Sequence, residues 1–298
     1  MHIEKERIMV YDVAIIGTGP AGLSAAITLK LHNKSILWLG AKNLSTKVEK
    51  SEKIANYPGM GYITGKELIA RFEEHAEAME LEITEQMVTA IMPGGDYYMM
   101  SAGSDVYMAK TILLATGAAA AKGFEGEDEL LGRGLSYCAT CDGFLYKGKT
   151  IAVFCGDERF EHEIEYLAEL AGKVYVSAAY AGGKYGKNGS GTDKDNIEML
   201  PKPIRKVIGG MKVNAVELTD GIQTEIDGLF CLRNAIAPAT LLKGLELDGA
   251  HVIVNRDMET NMAGVFAAGD CTGRPYQIAK AVGEGNIAAH SIVEYLSK

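Results

Sequence analysis

The chain contains no run approaching the ~20 consecutive apolar residues that a membrane-spanning helix requires. Its first residues, Met1 to Arg7, are charged and contain no apolar core segment. Neither a span nor a secretory leader is expected. A basic balance is missing too, with 30 Lys and Arg against 39 Asp and Glu and a net charge of −9. That excludes a general nucleic-acid binder, whose phosphate contacts demand a basic surface. Five cysteines in 298 residues cannot staple a chain of this size, so the disulphide-scaffold class is excluded. A cytoplasmic protein is the expectation. Apolar residues make up 47% and charged residues 23%, the balance of a packed globular protein. The length exceeds one ordinary core and implies about two domains.

The cysteines are unevenly placed. Cys138 and Cys141 form a C-x-x-C pair, followed at once by Asp142, while Cys155, Cys231 and Cys271 are scattered singly. A zinc site would need a second pair, or histidines at ligand spacing. A redox dithiol is therefore favoured over a metal site; two unlinked buried thiols are the bland alternative.

The hydrophobic pattern orders the elements. Val10 to Ile16 is an apolar run, a helical pattern follows to about Leu31, and Ser35 to Leu39 reads as a second strand. Gly65 to Met79 reads as an amphipathic helix. Residues 81 to 114 read as short strands broken at Gly94-Gly95 and Gly103-Ser104, the last running through Thr111 into a turn at Gly117. A second unit of the same kind opens at Thr150: a strand at Ile151 to Phe154, a helix at Glu158 to Leu170, a strand at Val174 to Ser177. Ala181 to Asp195, rich in Gly, Lys, Asn and Asp, reads as an exposed loop. Short strands follow to Leu232. Gly264 to Asp270 is a strand and turn, and a helix from about Tyr276 to Leu296 ends the chain. The fold class is α/β: two Rossmann-like three-layer ββα domains, the second inserted into the first. The first spans 1–117 and 242–298, the second 118–241.

Between the first strand and helix stands Gly17-Thr18-Gly19-Pro20-Ala21-Gly22. In G-x-G-x-x-G the first glycine permits a tight turn, the second lets the backbone approach a pyrophosphate, and the third lets helix pack on strand. The helix N-terminus then faces the phosphates with its partial positive charge. The acid that usually binds the ribose, about 20 residues on, is missing. Trp38-Leu39-Gly40 stands there, leaving Lys42 or backbone for that task.

G-T-G-P-A-G, Asn56-Tyr57-Pro58-Gly59, Ala115-Thr116-Gly117, C-A-T-C-D-G at 138–143 and G-V-F-A-A-G-D at 264–270 occur in this order. Together they resemble the low-molecular-weight thioredoxin reductases over nearly the whole chain. The resemblance implies FAD at the first glycine loop and a homodimer. It places Asp270 on the FAD ribityl chain or phosphate, the backbone of Gln277 near the flavin pyrimidine end, and Asn56 near the flavin ring. The bland alternative for Asp270 is a turn or helix-capping acid. It makes Cys141 the cysteine facing the flavin, Cys138 the one that attacks a partner disulphide on thioredoxin, and Asp142 the proton donor or acceptor. An Asp before Gly is also an ordinary turn residue.

The second nucleotide loop of that family, G-x-G-x-x-A, and its His-Arg-Arg cluster are both missing. In register stand Phe154, Gly156 and Arg159, and after the next strand Ala178-Ala179-Tyr180, which carries no positive charge. A 2′-phosphate needs Arg or Lys, and only Lys184 and Lys187 lie near. NADPH is therefore not expected. The pattern resembles the ferredoxin-dependent flavin thioredoxin reductases, which dispense with pyridine nucleotides. With the sequence closing at Lys298, a flavin with one face open to a donor is the expectation. Two basic groups could receive an acidic ferredoxin: Lys42, Lys47, Lys50 and Lys53, or Lys202, Arg205, Lys206 and Lys212. The alternatives are an NADPH-dependent thioredoxin reductase with a divergent loop, an oxygen-dependent dithiol oxidase, and a redox-inactive flavin-binding protein.

Overall fold

The computed structural model describes residues 9–117, 124–137, 139–187, 189, 194–233 and 237–298; for Asp128 and Cys141 it describes the backbone only. The chain divides into two compact units, 1–119 with 236–298, and 120–235.

The first unit opens with β1 (Val10–Ile16), α1 (Pro20–Leu31) and β2 (Ile36–Leu39). A single turn, α2 (Thr46–Glu49), then leads to α3 (Gly65–Ala78). The side chain of Thr64 and that of Glu67 cap α3 reciprocally, which fixes its start. A meander follows: β3 (Val88–Pro93), β4 (Tyr98–Ala102) and β5 (Asp105–Leu114). Its turns fall at the glycine pairs because Gly95 and Gly103 hold positive φ.

The second unit carries α4 (Glu127–Leu130), β6 (Leu135–Ser136), α5 (Ala139–Asp142), β7 (Thr150–Cys155), α6 (Glu161–Leu170), β8 (Lys173–Ala178) and β9 (Ile197–Met199). β10 (Ile204–Gly209), β11 (Val213–Leu218), β12 (Gln223–Glu225) and β13 (Gly228–Leu232) complete it. The chain returns to the first unit through α7 (Pro238–Leu241), β14 (Leu247–Asp248), β15 (His251–Val252), β16 (Val265–Ala267) and α8 (Ile278–Tyr295).

In the first unit β2, β1, β5 and β16 pair in parallel, and β3, β4 and the first half of β5 form the antiparallel meander. α1 and α8 pack on one another closely enough that a Cβ at Gly285 would stand 2.2 Å from the Ala21 carbonyl oxygen. Val13, Ile15, Leu29, Trp38, Leu113 and Phe266 lie in its core. In the second unit β6-β13-β7-β8-β9 form a parallel sheet, and β10-β11-β12 a separate antiparallel layer. Parallel strands buried on both faces explain why β7, β8 and β13 read as near-continuous apolar runs.

No helix among the described residues is long and apolar enough to cross a membrane. The segment read as an exposed loop at Ala181–Asp195 is corrected in part. Tyr185 is 1% exposed and belongs to the core of the second unit.

Candidate functional site

The turn after β1 is built on contact distances that only glycine allows. Gly17 has φ +116°, and a Cβ there would stand 2.2 Å from the Ala115 carbonyl oxygen; a Cβ at Gly22 would stand 2.1 Å from that of Gly17. Gly19 differs, because the nearest atom to a Cβ there is 4.0 Å away. The space above Gly19 is therefore open to a ligand. Gly19 is the N-cap of α1, with no side-chain cap, Pro20 at the first helical position and no acid in the first turn. Among the described residues no side chain caps the N–H groups of that turn, the arrangement that binds a phosphate. Trp38 stands in the place of the missing ribose acid and supports the turn rather than a ribose. Trp38 is buried, and its indole N–H donates to the Gly17 carbonyl at 3.0 Å, bracing the turn from below.

The same cavity receives a second helix. α8 begins after Gln277, again with no side-chain cap and no acid in the first turn. An open cavity of about 280 Å³ lies here. Gly19, Pro20 and Ala21 line it on one side; Asp270 and Gln277 line it with Asn56, Ala115 and Gly117. Of the sequence-predicted set, Gly17, Gly22 and Thr116 are not on its wall. The Asn56 side-chain amide donates to Gln277 Oε1 at 2.7 Å. Asp270, whose side chain is 15% exposed, accepts from Lys47 Nζ at 2.7 Å. Two open helix N-termini, two lysines and one carboxylate around a single cleft suit a dinucleotide with a pyrophosphate and ribityl hydroxyls, so FAD fits these residues.

Sequence reasoning missed the supports of this cleft. Glu284 accepts the Gly269 N–H at 2.9 Å, while Lys280 donates to the Gly269 carbonyl at 2.8 Å and pairs with Glu284 at 3.0 Å. This i, i+4 pair clamps the turn that presents Asp270, and its spacing was the available signal. Lys47 was singled out only as a surface charge.

In the second unit the dithiol is only partly visible. Cys138 lies outside the described residues, as does the Cys141 side chain; the Cys141 backbone is in α5. Asp142 Oδ2 accepts from Ser136 Oγ at 2.6 Å. The Ala139 N–H donates to Glu163 of α6, a carboxyl that burial pushes above its ordinary range. The other three thiols are buried. Burial pushes Cys155 and Cys271 up to about 11 and Cys231 further still. At neutral pH they are not thiolates and do not react.

The loop after β7 contrasts with that after β1. The helical segment starts with a 3-10 turn, Glu158–Phe160, whose N-cap is Asp157. Counted from this N-cap, the loop positions are Cys155, Asp157 and Phe160. The sequence register of Phe154, Gly156 and Arg159 is corrected by one residue, because β7 runs one residue further, through Cys155. Where Gly19 leaves the helix end open, the Asp157 carboxylate accepts the Arg159 N–H at 3.2 Å. Beyond β13, Arg233 stacks on Phe124 and Phe154, 5.1 and 5.0 Å from their ring centroids. It also pairs with buried Glu127, which accepts from Tyr137 at 2.6 Å. Beyond β8, Tyr180 and the backbone N–H groups of Lys184 and Tyr185 donate to Glu161 at 2.7 to 3.0 Å, and the Lys184 ammonium pairs with Glu165.

Two Rossmann-like units, one with an open dinucleotide cradle, define an oxidoreductase of the nucleotide-dependent disulphide reductase class. The family model for pyridine nucleotide-disulphide oxidoreductases matches residues 11–156 and 193–285. The thioredoxin reductase of Bacillus subtilis (strain 168) is 33% identical over 97% of this chain and 96% of its own. A ferredoxin-flavin thioredoxin reductase from Clostridium acetobutylicum superposes with a TM-score of 0.90 at 42% identity, over 97% of this chain and 98% of that one. A thioredoxin reductase from Gloeobacter violaceus gives 0.78 at 26%, over 96% and 94%. The chain belongs to the low-molecular-weight thioredoxin reductase family.

Proposed function

We propose that this enzyme reduces the disulphide of thioredoxin with electrons taken from reduced ferredoxin through bound FAD. The observation that carries the reading is the Asp157 carboxylate at the N-terminus of the helical turn that follows β7. A nucleotide pyrophosphate would have to displace that anion from the N–H groups it needs. Arg233 under two phenylalanine rings, and Lys184 committed to Glu165, take up two of the cations a phosphate would use. The likeness to a ferredoxin-flavin thioredoxin reductase points the same way.

Bound FAD would supply the exchange between single electrons and electron pairs. This chain's residues do the rest. The first turns of α1 and α8 hold the cofactor's phosphate and pyrimidine ends, with Asp270 on its hydroxyls. Cys141 faces the flavin and Cys138 attacks the thioredoxin disulphide. Asp142, held by Ser136, donates and accepts the proton. Each turnover takes one electron from each of two ferredoxins and two protons from solvent, and it opens one disulphide. The drop from a ferredoxin near −400 mV to thioredoxin near −270 mV releases about 6 kcal/mol for the pair.

The test is thioredoxin thiol formation with reduced ferredoxin or NADPH as the sole electron source. Turnover with ferredoxin alone is expected. Turnover with NADPH alone favours the divergent-loop alternative, and oxygen consumption with a small dithiol favours the oxidase.

A further inference from the structure

The sequence offers two lysine-rich segments that could receive an acidic partner, and the structure separates them. In the second unit, Arg205 pairs with Glu217 and Glu125, and Lys206 pairs with Glu125. Two of that group's four cations are therefore held by carboxylates of the same unit, which leaves Lys202 and Lys212 as its exposed charges. In the first unit, residues 40–66 carry five lysines against two glutamates, in a protein whose net charge is −9. Lys42, Lys50, Lys53 and Lys66 are exposed. None forms an ion pair among the described residues, where the salt bridge of this segment is Lys47 to Asp270.

This positive segment borders the cofactor cavity. Lys47 and Lys53 line the cavity itself, and Lys50 lies between them in sequence, at the end of α2. Lys66 lies in the first turn of α3, which packs on α2 so closely that a Cβ at Gly65 would stand 1.9 Å from the Val48 carbonyl oxygen. Aromatic rings are interleaved with the charges. Tyr62 is 78% exposed beneath the Lys53 ammonium, 3.9 Å from its ring centroid. Tyr276, on the cavity wall, carries Lys47 at 5.1 Å and Arg274 at 5.9 Å. Exposed tyrosines are enriched at protein-binding surfaces. Unpaired cations steer an acidic partner and set its on-rate.

We propose that the surface formed by Lys50, Lys53, Lys66 and Tyr62 is where the acidic iron–sulfur electron donor docks. The inference rests on the donor assigned above and adds its place of entry, the rim of the cleft that holds the flavin. Docking here puts the electron carrier beside the cofactor.

The experiment measures binding of oxidised ferredoxin to the FAD-loaded enzyme by calorimetry across ionic strengths. The Lys50→Glu/Lys66→Glu variant should bind about tenfold more weakly at low salt and show a flatter salt dependence. Lys50→Arg/Lys66→Arg should bind as the wild type does, and Lys202→Glu/Lys212→Glu should stay within about twofold of it. Flavin reduction by dithionite should be unchanged in all three. Wild-type affinity and salt response in Lys50→Glu/Lys66→Glu, with ferredoxin still reducing its flavin, overturns the surface and leaves the donor standing. A wild-type enzyme that neither binds ferredoxin nor is reduced by it overturns both.

Discussion

Lys47 Nζ lies 2.7 Å from Asp270 Oδ2 at the cavity wall, joining the turn before α8 to a lysine of α2. The lysine is 66% exposed, so the pair contributes under ~1 kcal/mol to folding. Both residues line the cavity, and under the proposed function Asp270 is a ligand of the cofactor. Asp270→Ala should leave the melting temperature of the apoprotein within a few degrees and weaken FAD binding about tenfold or more, the loss of one charge-assisted hydrogen bond. Fluorescence titration of apoprotein with FAD measures this; undiminished affinity contradicts the ligand role.

The two glycines of the first loop should fail in different ways. Gly17→Ala puts a Cβ 2.2 Å from a backbone carbonyl, at a φ that alanine rarely adopts, so the protein should lose stability. In Gly19→Val the Cβ meets no atom closer than 4.0 Å. The variant should fold with a normal circular dichroism spectrum and purify with little bound flavin. A yellow Gly19→Val protein would sink the phosphate-cradle reading.

Cys138→Ser should abolish thioredoxin reduction while ferredoxin still reduces the flavin. If flavin reduction disappears too, the assigned order of the two cysteines is wrong.

Thiol labelling separates the dithiol from the buried cysteines. With Cys155 and Cys271 pushed up to about 11 and Cys231 higher, a maleimide at about pH 7.5 should label no more than two thiols in the reduced native protein. All five should react after denaturation. Native labelling at Cys155, Cys231 or Cys271, read by mass spectrometry, would contradict the burial argument.

Glu165 gives a pH signature. Burial raises its pKa, but hydrogen bonds from Lys184, Tyr185 and Lys194 outweigh this and hold it down to about 2, against an ordinary 4.5. A depressed carboxyl stabilises fully above its unfolded value and loses that stabilisation as pH falls through the folded one. Stability from these bonds should be constant from pH 7 to 5 and vanish between about 4.5 and 2. Glu165→Gln should cost roughly 1–3 kcal/mol at neutral pH. The gap from wild type should narrow across the acid window in urea titrations. A gap that persists at pH 2 would place its cause elsewhere.

The elements around the first loop were legible because strand, glycine spacing and helix each carry a strong local pattern. α2 was not, since four residues capped by Ser45 leave no periodicity to read. Lys47 looked like one cation in a charged run, and only folding brings it to Asp270, 223 positions away. The register of the second loop slipped because an apolar strand gives no signal at its last residue. Tyr185 sits in a stretch of Gly and Lys that reads as solvent-exposed. Its burial depends on Glu161, 24 residues earlier, accepting its N–H, a contact that no local pattern encodes.

The most direct measurement follows the visible flavin band of the FAD-loaded enzyme under anaerobic conditions. Reduced ferredoxin is titrated into one cuvette and NADPH into another. The account predicts that about four equivalents of ferredoxin, one pair of electrons for the disulphide and one for FAD, bleach the flavin, while a large excess of NADPH leaves it yellow. Prompt bleaching by stoichiometric NADPH would contradict it.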